Sequence, residues 1–199
     1  QVKRQLSTRP KALVQVQERA SLEASGGAVQ VTQLPPLRPR SESDSDDIQV
    51  ADGSRFHSAE LSALLEGKTE APHRLVMSWF TACHACKRAE PTLAALRAEF
   101  PEEQLGIFGF NNDSGDSRKE MEQYRERFRP SYIMLLERSK ADIKAFKDLQ
   151  DTILGPYRGE EPSNLTPGCL LLDADGQVVK AWFGVPSVSA LKQFLNEGR

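Results

Sequence analysis

Two cysteines separated by two residues are the part of this sequence best suited to chemistry. Cys83 and Cys86 lie in the stretch WFTACHACKRAEP, with His84 between them and Pro91 five residues after the second cysteine. A cysteine reacts as the thiolate, and a free thiol with a pKa near about 8.5 is mostly protonated at neutral pH. A reactive pair therefore needs a location that favours the anion.

The elements around the cysteines provide such a location. RLVMSWF, just before the pair, is an apolar run of the length expected for a buried strand. The pattern of an amphipathic helix follows, with apolar residues at Ala89, Leu93, Leu96 and Phe100. If that helix begins near His84, Cys83 lies at its N-terminus, where free backbone N–H groups favour an anion. The spacing also predicts that the two sulfurs can bond, with the first exposed and the second shielded.

The segments that flank this centre predict further strands and helices. IQVADGSRF predicts two short strands around a turn at Asp52-Gly53, and HSAELSALLEG predicts a helix that stops at Gly67. LGIFGF predicts a second buried strand. DSRKEMEQYRERF predicts a second helix, with one face formed by Met121, Tyr124 and Phe128.

The C-terminal part predicts one more helix, a hairpin and a last helix. SKADIKAFKDLQDTIL has apolar residues at helical spacing, and CLLLDADGQVVKAWFG predicts a hairpin that turns at Asp175-Gly176. SVSALKQFLNEG predicts a terminal helix capped by Ser187. Parallel crossover units followed by an antiparallel hairpin imply an α/β fold with a central mixed sheet and helices on both faces.

Composition and charge limit the domain count and the class of partner. The 199 residues are 39% hydrophobic and 27% charged, as in a globular protein with one core of about 150 residues and an appendage. We expect residues 1–46 to be that appendage, ending in the linker PPLRPRSESDSDD, and residues 47–199 to be the domain. The 26 basic and 28 acidic residues are interspersed, so we expect no nucleic-acid partner. No apolar window is long enough to span a membrane.

The sequence resembles the thioredoxin superfamily in three places. Trp79, the Cys-x-x-Cys pair and Pro91 match the pattern FWAxWCxxCKxxxP. LTPGCLLLDADGQVV is similar to the cis-proline segment xxPTxxLIDxDGxI, and the stretch from Ile48 to Lys68 is similar to the hairpin and helix that precede the core in the TlpA/ResA-like branch. The resemblance, over about residues 47 to 197, implies a thioredoxin-like fold with an N-terminal β-hairpin extension and an inserted helix before the cis-proline strand.

The resemblance also implies an activity and the residues that carry it. It implies a thiol-disulfide oxidoreductase in which Cys83 attacks and Cys86 resolves, without a dissociable cofactor or a metal. Thr166 and Pro167 would shape the groove where a substrate strand pairs, and Pro91 would kink the first helix of the core. The implied partners are a protein disulfide or dithiol and a redox partner. The implied location is extracytoplasmic, periplasmic or membrane-anchored and facing outward, with the N-terminal segment as a tether to a membrane or a larger chain.

Several residues depart from the superfamily pattern or support the site. Met77 stands where the superfamily has a buried acid on the central strand, and Ala89 where TlpA-like proteins have a glutamate. Glu90, one residue later, is expected to serve in proton transfer to Cys86 only if the helix presents it inward. Trp79 is expected to pack beneath the site. His84 is expected to face solvent. The functional interpretation of His84 is that it stabilises the adjacent thiolate and so makes the disulfide more oxidising.

Two other classes of function remain open at this point. A thioredoxin-fold binding module could hold a metal such as copper, or a protein partner, without turnover. A closed zinc site wants four ligands, so His84 and Cys169 would have to join the pair, although His84 points away from it. A peroxiredoxin-like peroxidase would place a threonine three residues before its cysteine, whereas Thr81 stands two before Cys83. We expect Cys169 to be a small buried strand residue, with a third redox thiol as the alternative.

Overall fold

A computed structural model of the chain describes residues 47–49, 56–157 and 166–197. The predicted appendage, residues 1–46, and the predicted turn at Asp52-Gly53 lie outside the described residues. None of the helices in those ranges is both long and apolar enough to cross a bilayer.

Among the described residues, one mixed β-sheet forms the centre of the domain and five α-helices cover it. Its strands are β1 (Asp47–Gln49), β2 (Phe56–His57), β3 (His73–Trp79), β4 (Leu105–Asn111), β5 (Ile133–Leu135), β6 (Gly168–Leu172) and β7 (Gln177–Phe183). The helices are α1 (Ala59–Leu65), α2 (His84–Glu99), α3 (Arg118–Phe128), α4 (Lys140–Leu154) and α5 (Val188–Glu197), with a 3₁₀ turn at Gly155–Tyr157.

The strand order is β1-β7-β6-β3-β4-β5, and β2 pairs with β7 beside β1. Strands β3, β4 and β5 are parallel, whereas β6 runs antiparallel to both β3 and β7. The predicted mixed sheet is therefore confirmed, and so is the predicted helix α4 before β6. Strand β3 lies near the middle of the sheet, and its last residue is four positions before Cys83.

Alternate residues of β3 supply two hydrophobic layers. Leu75, Met77 and Trp79 are fully buried in a layer that contains residues of α2, α3 and α5. Val76 belongs to the opposite layer, with residues of α1 and α4. Because side chains alternate along a strand, the run RLVMSWF can be apolar throughout only if both faces are covered. The layer beneath α2 is the one that contains the two cysteines.

Serine side chains cap the N-termini of α3, α4 and α5. Such caps are local features of the sequence that mark where a helix begins. Ser117 and Ser139 form capping boxes with Glu120 and Asp142, at the first turns of α3 and α4. Ser187 Oγ accepts from Ala190 N at 3.2 Å, as the predicted cap of α5. In each case the hydroxyl takes one of the N–H groups that an isolated helix start leaves without a partner.

The structure adds to or differs from the expected fold in three places. The described strands of the predicted N-terminal hairpin, β1 and β2, do not pair with each other, because both run antiparallel to β7 along the same edge. Strand β5 was not predicted, since its three residues are too few to show a period. Phe128 shares a face of α3 with Tyr124, as predicted, since their ring centroids are 4.6 Å apart, but Phe128 is 42% exposed.

Candidate active site

The two cysteines are joined in a disulfide at the start of α2. Their Cα atoms are 5.3 Å apart, and Cys83 is the N-cap residue of the helix, whose first residue is His84. The Cys83 Sγ accepts a hydrogen bond from Cys86 N at 3.1 Å. The predicted position of Cys83 at a helix N-terminus is therefore confirmed. A thiolate formed there would keep this donor and the favourable end of the helix dipole.

The first cysteine was expected to be exposed and the second shielded, but the two residues do not differ in exposure in the disulfide form. Cys83 is 4% exposed and Cys86 is 3% exposed. The spacing of the pair predicts which residue begins the helix, but it does not predict what covers the first sulfur. The burial of Cys83 depends on how the rest of the domain packs against it. The residue types at positions 83 to 86 do not predict that packing.

Apolar side chains lie beneath the pair. Met77 and Trp79 on β3 and Cys169 on β6 are fully buried in the same hydrophobic cluster as the two cysteines, and Met77 is directly paired with Cys169 across the strands. Burial raises the pKa of the Cys169 thiol. No aspartate or glutamate is among the buried residues of the described part of the chain. The expectation that Cys169 is a buried strand residue is confirmed.

Trp79 packs under the site as expected, and two tyrosines line its ring. The centroid of its ring lies 4.9 Å from that of Tyr124 and 6.4 Å from that of Tyr132. Its buried Nε1 has no hydrogen-bond partner in the described ranges. Burial raises the pKa of both tyrosines, and the charge of Glu90 adds to the effect. Trp79 therefore connects the floor of the site to α3 and β5.

The backbone carbonyl of Ser78 is the recorded polar contact of the Cys86 sulfur, at 3.9 Å from its Sγ. A disulfide sulfur has no proton to donate, so this contact becomes a hydrogen bond only when Cys86 is a thiol. The Ser78 hydroxyl holds the neighbouring strand: it accepts from Gly168 N at 2.9 Å. The same serine therefore touches Cys86 and the first residue of β6.

The segment that leads into β6 brings Thr166 and Pro167 to the same end of the sheet. The Thr166–Pro167 peptide bond is cis. Thr166 Oγ1 accepts from Asn112 Nδ2 at 2.8 Å, and Asn112 N donates to the carbonyl of Trp79 at 3.0 Å. Because β6 is antiparallel to β3, its start at Gly168 lies beside the end of β3, from which the chain continues to Cys83.

A polar network beside Cys83 was not predicted from the sequence. Thr81, two residues before Cys83, donates to the Asp116 carboxylate twice, from its N at 2.7 Å and from its Oγ1 at 2.6 Å. Asn111 Nδ2 donates to the same carboxylate at 2.7 Å. Arg138 closes the network, since its Nη2 donates to Asn111 Oδ1 at 2.9 Å and to the Asp116 carbonyl at 3.0 Å.

One sequence signal could have revealed this network. The polar run NNDSGDS begins with Asn111 and follows a buried strand. The carboxyl ends of parallel strands meet at one edge of a sheet, where α/β folds bring functional groups together. Because β4 is parallel to β3, its polar end lies beside the chain that leads to the cysteines. Arg138 follows β5, the strand that the sequence did not reveal, so its part in the network was not predictable.

The remaining predicted site residues lie on α2. His84 is exposed, as expected, and Pro91 is exposed within a helix that continues to Glu99. Glu90 is half-buried, and its Oε1 accepts from both Ser131 N and Ser131 Oγ at 2.6 Å. Glu90 therefore holds α2 to the loop before β5.

The metal alternative would need ligands in addition to the pair. Across the ranges that the structure describes, no group of three or more histidine, cysteine, aspartate or glutamate side chains is arranged to hold a metal ion. The two additional ligands considered from the sequence lie in different environments, since His84 is exposed and Cys169 is fully buried.

Comparison with known proteins rests on the fold. No protein-family model and no curated protein matches the chain. The crystal structure of a DsbF homologue from Corynebacterium diphtheriae superimposes with a TM-score of 0.50 at 12% identity, over 81% of this chain and 98% of that one. The chain has the thioredoxin fold. The predicted fold class is thereby confirmed.

Two further solved structures match less extensively. A thio-disulfide isomerase from Thermus thermophilus has a TM-score of 0.44 at 19% identity, over 62% of this chain and 77% of that one. StoA from Bacillus subtilis has a TM-score of 0.40 at 15% identity, over 64% of this chain and 84% of that one. In this chain, the thioredoxin fold positions the Cys83–Cys86 disulfide at the end of the sheet that also carries Pro167.

Proposed function

We propose that this protein is a thiol-disulfide oxidoreductase that exchanges the Cys83–Cys86 disulfide with cysteines of protein substrates. One observation carries the proposal: the two sulfurs are bonded at the first turn of α2, where Cys86 N donates to the Cys83 Sγ. The same donor and the end of the helix dipole stabilise a Cys83 thiolate once the bond is reduced. Cys83 is thus the leaving and attacking sulfur, and Cys86 resolves.

The exchange balances in two steps. A substrate thiolate attacks the Cys83 Sγ, so that a mixed disulfide forms, the Cys83–Cys86 bond breaks, and the electron pair leaves on the Cys86 sulfur, which takes up a proton. A second substrate thiolate then attacks the substrate sulfur of the mixed disulfide and releases Cys83 as a thiolate. The substrate loses two electrons and the protein gains them. In the opposite direction, the Cys83 thiolate attacks a substrate disulfide and Cys86 completes the reduction.

The surroundings of Cys86 support its role as the resolving thiol. Its Sγ lies 3.9 Å from the Ser78 carbonyl, which can accept the proton-bearing S–H after reduction. A carbonyl stabilises the thiol rather than the thiolate, because it accepts hydrogen bonds and cannot donate them. Cys86 therefore holds its proton until a mixed disulfide has formed on Cys83, which keeps attack and resolution in order.

The other site residues act as supports in this proposal. Thr166 and Pro167 shape the groove in which a substrate strand lies, and Trp79 forms the floor beneath the disulfide. His84 stabilises the adjacent thiolate from the solvent side. Pro91 shapes α2, and Glu90 holds that helix in place through Ser131.

The proposal extends to partners, domain organisation and location. A second redox protein is needed to restore the disulfide or the dithiol after each turnover, because each exchange leaves the pair in the opposite oxidation state. We place the protein outside the cytoplasm, as a periplasmic or outward-facing membrane-anchored domain in the manner of TlpA/ResA relatives. Residues 1–46 serve as the tether and residues 47–199 as the catalytic domain.

A redox titration against glutathione tests the proposal. The purified protein is equilibrated over a range of reduced to oxidised glutathione, and the fraction of Cys83–Cys86 disulfide is measured by mass spectrometry after alkylation. We expect one reversible two-electron transition. A metal assay on the same sample separates the binding-module alternative: a pair that never oxidises reversibly, or that carries stoichiometric metal, contradicts the proposal.

A trapping experiment tests the two roles. Cys86→Ser leaves Cys83 without its resolving partner, so mixed disulfides with substrate proteins should accumulate and be released by reductant. Cys83→Ser is the matched control, because it removes the attacking thiol and should trap nothing. Equal trapping by both variants, or by neither, contradicts the assigned order.

A further inference from the structure

We infer that Asp116 is a positioning residue that sets the redox equilibrium of the disulfide by holding a negative charge beside Cys83. The inference rests on the proposed oxidoreductase function and assigns a regulator of that site. It starts from the geometry of one carboxylate. Both oxygens of Asp116 are bound to Thr81, Oδ2 to the backbone N at 2.7 Å and Oδ1 to the side-chain hydroxyl at 2.6 Å.

These two bonds fix the charge close to the attacking sulfur. Consecutive Cα atoms are about 3.8 Å apart, so the Cα atom of Cys83 lies within about 8 Å of that of Thr81. The intervening chain is itself held in a tight turn, since Cys83 N donates to the Phe80 carbonyl at 3.0 Å. The carboxylate is therefore part of the surroundings of the Cys83 thiolate, although it lies 33 positions away in sequence (116 − 83).

The network behind Asp116 holds the carboxylate in place. Asn111 is fully buried and donates to Oδ2 at 2.7 Å. Arg138 donates to the Asn111 carbonyl at 2.8 Å and to the Asp113 carbonyl at 2.7 Å. Desolvation lowers the pKa of Arg138, while the charges of Asp116 and Asp113 raise it. The arginine binds the backbone and Asn111 rather than the Asp116 carboxylate, so it fixes the loop and only partly offsets the charge.

The sign of the effect follows from the charge. A negative charge near a thiolate disfavours the thiolate, so Asp116 stabilises the disulfide relative to the dithiol. The helix dipole and the Cys86 N–H act in the opposite direction. Other charged or titratable side chains on the elements around the pair include His84, Lys87, Arg88 and Glu90 in the first two turns of α2, Asp113 in the loop of Asp116, and Cys169 on β6.

Asp116→Asn tests the charge with the contacts preserved. The amide oxygen can accept from Thr81 N and Asn111 as Oδ2 does, and the amide nitrogen can donate to the Thr81 hydroxyl. We expect the Cys83 thiolate fraction at pH 7, measured from the rate of iodoacetamide alkylation of the reduced protein, to rise at least about threefold. The equilibrium with glutathione should move toward the reduced protein by a similar factor.

Three control variants separate charge from structure. Asp113→Asn removes the same charge from the same loop. In the described part of the chain the Asp113 carboxylate accepts from Gly115 N and makes no hydrogen bond to Thr81, so this variant should stay within about twofold of wild type. Thr81→Val removes the hydroxyl but keeps the charge, so it should lower the melting temperature without raising the thiolate fraction. Thr81→Ser should restore wild-type behaviour.

The outcomes distinguish this inference from the proposed function. If wild type shows no reversible two-electron transition with glutathione, the proposed function fails and the inference fails with it. If wild type titrates reversibly but Asp116→Asn leaves the equilibrium and the alkylation rate unchanged, only the inference is overturned. An equal shift in Asp113→Asn also overturns it, because the effect would then belong to the net charge of the loop.

Discussion

The disulfide lies between two regions of opposite character. Before Cys83, the loop is bound by the polar network of Thr81, Asp116, Asn111 and Arg138. Beneath both cysteines lies a layer of fully buried apolar side chains that includes Met77 and Trp79. The two cysteine residues are exposed to almost the same small extent, at 4% and 3%. Chemistry therefore distinguishes them, and exposure does not.

The contrast teaches how a Cys-x-x-Cys pair can be asymmetric while both residues are buried. The Cys83 sulfur accepts from the Cys86 N–H, and the Asp116 carboxylate binds Thr81, two residues before Cys83. The Cys86 sulfur lies 3.9 Å from the Ser78 carbonyl, which can accept a hydrogen bond from a thiol. The apolar layer preserves this difference because a low dielectric strengthens each of the few polar contacts that remain.

The largest effect on stability is expected from placing a charge in the apolar layer beneath the disulfide. Met77→Asp puts a carboxyl into a fully buried position, so we expect the free energy of unfolding at pH 8 to fall by about 3 kcal/mol or more. Burial raises the pKa of this carboxyl above its unfolded value of about 3.9. The folded variant then keeps a proton that the unfolded chain loses, so the destabilisation should be smaller at pH 4.

Urea denaturation of the oxidised proteins at pH 4 and pH 8 measures this effect. Met77→Leu is the matched control and should cost less than about 1.5 kcal/mol, since it conserves volume and polarity. If aspartate is tolerated at pH 8, the layer beneath the disulfide admits water or a partner charge. That result would contradict the contrast between a polar and an apolar region.

A smaller effect on stability is expected from removing Arg138 from the polar network before Cys83. Arg138→Ala deletes four recorded hydrogen bonds, made to Asn111, Asp113 and Asp116, and leaves a buried asparagine with fewer partners. We expect a loss of about 2–3 kcal/mol in the free energy of unfolding. Arg138→Lys keeps the charge without the planar fork and should recover only part of it. Full recovery by lysine would indicate that charge alone, rather than geometry, holds the loop.

The pH dependence of stability at Cys169 tests whether the layer beneath the disulfide is apolar. Because burial raises its pKa above the unfolded value, the folded protein keeps the thiol proton as the unfolded chain loses it near about pH 9. Stability from this group is complete below that pH and falls as pH rises, by about 1 kcal/mol between pH 9 and pH 10. Cys169→Ala should remove this part of the pH dependence, while the tyrosines that also titrate at high pH affect both proteins equally.

The comparison is made by urea denaturation of oxidised wild type and Cys169→Ala at pH 8, 9 and 10. A pH slope that is unchanged in the variant would contradict the burial of an uncharged thiol beneath the pair.

The smallest effect is expected at the solvent side of the pair. His84 is exposed at the first residue of α2, so His84→Ala should change the free energy of unfolding by less than about 0.5 kcal/mol. Thermal denaturation followed by circular dichroism is sufficient to measure this. A larger loss would show that the imidazole is part of the network that holds the loop before Cys83.

Local patterns predicted the elements that carry their own signals. The apolar run of β3, the helical stripe of α2 and the serine cap of α5 are encoded by neighbouring residues, and each lies where the sequence indicates. The turn at Asp175-Gly176 is confirmed, because Gly176 has a φ of 77° that favours glycine. The position of Cys83 as a helix cap follows from the same local information.

Expectations failed where pairing partners decide the structure. The short strands at Asp47–Gln49 and Phe56–His57 have turn residues between them in the sequence, yet each pairs with β7. The three residues of β5 form a strand because β4 offers an edge to them. Phe128 follows the helical period but lies at the last turn of α3, where Lys87 and Arg127 contact its ring in place of a buried layer.

The sequence by itself determined a redox-capable pair at a helix start and an α/β domain. It also determined that position 77 carries a methionine rather than an acidic residue. Those features depend on residue type and short spacing. Only the tertiary structure decided that Asp116 and Arg138 lie beside the loop before Cys83, and that Cys169 lies beneath the pair. The physical reason is that parallel strands bring their carboxyl ends to one edge of a sheet, so residues far apart in the chain share one environment.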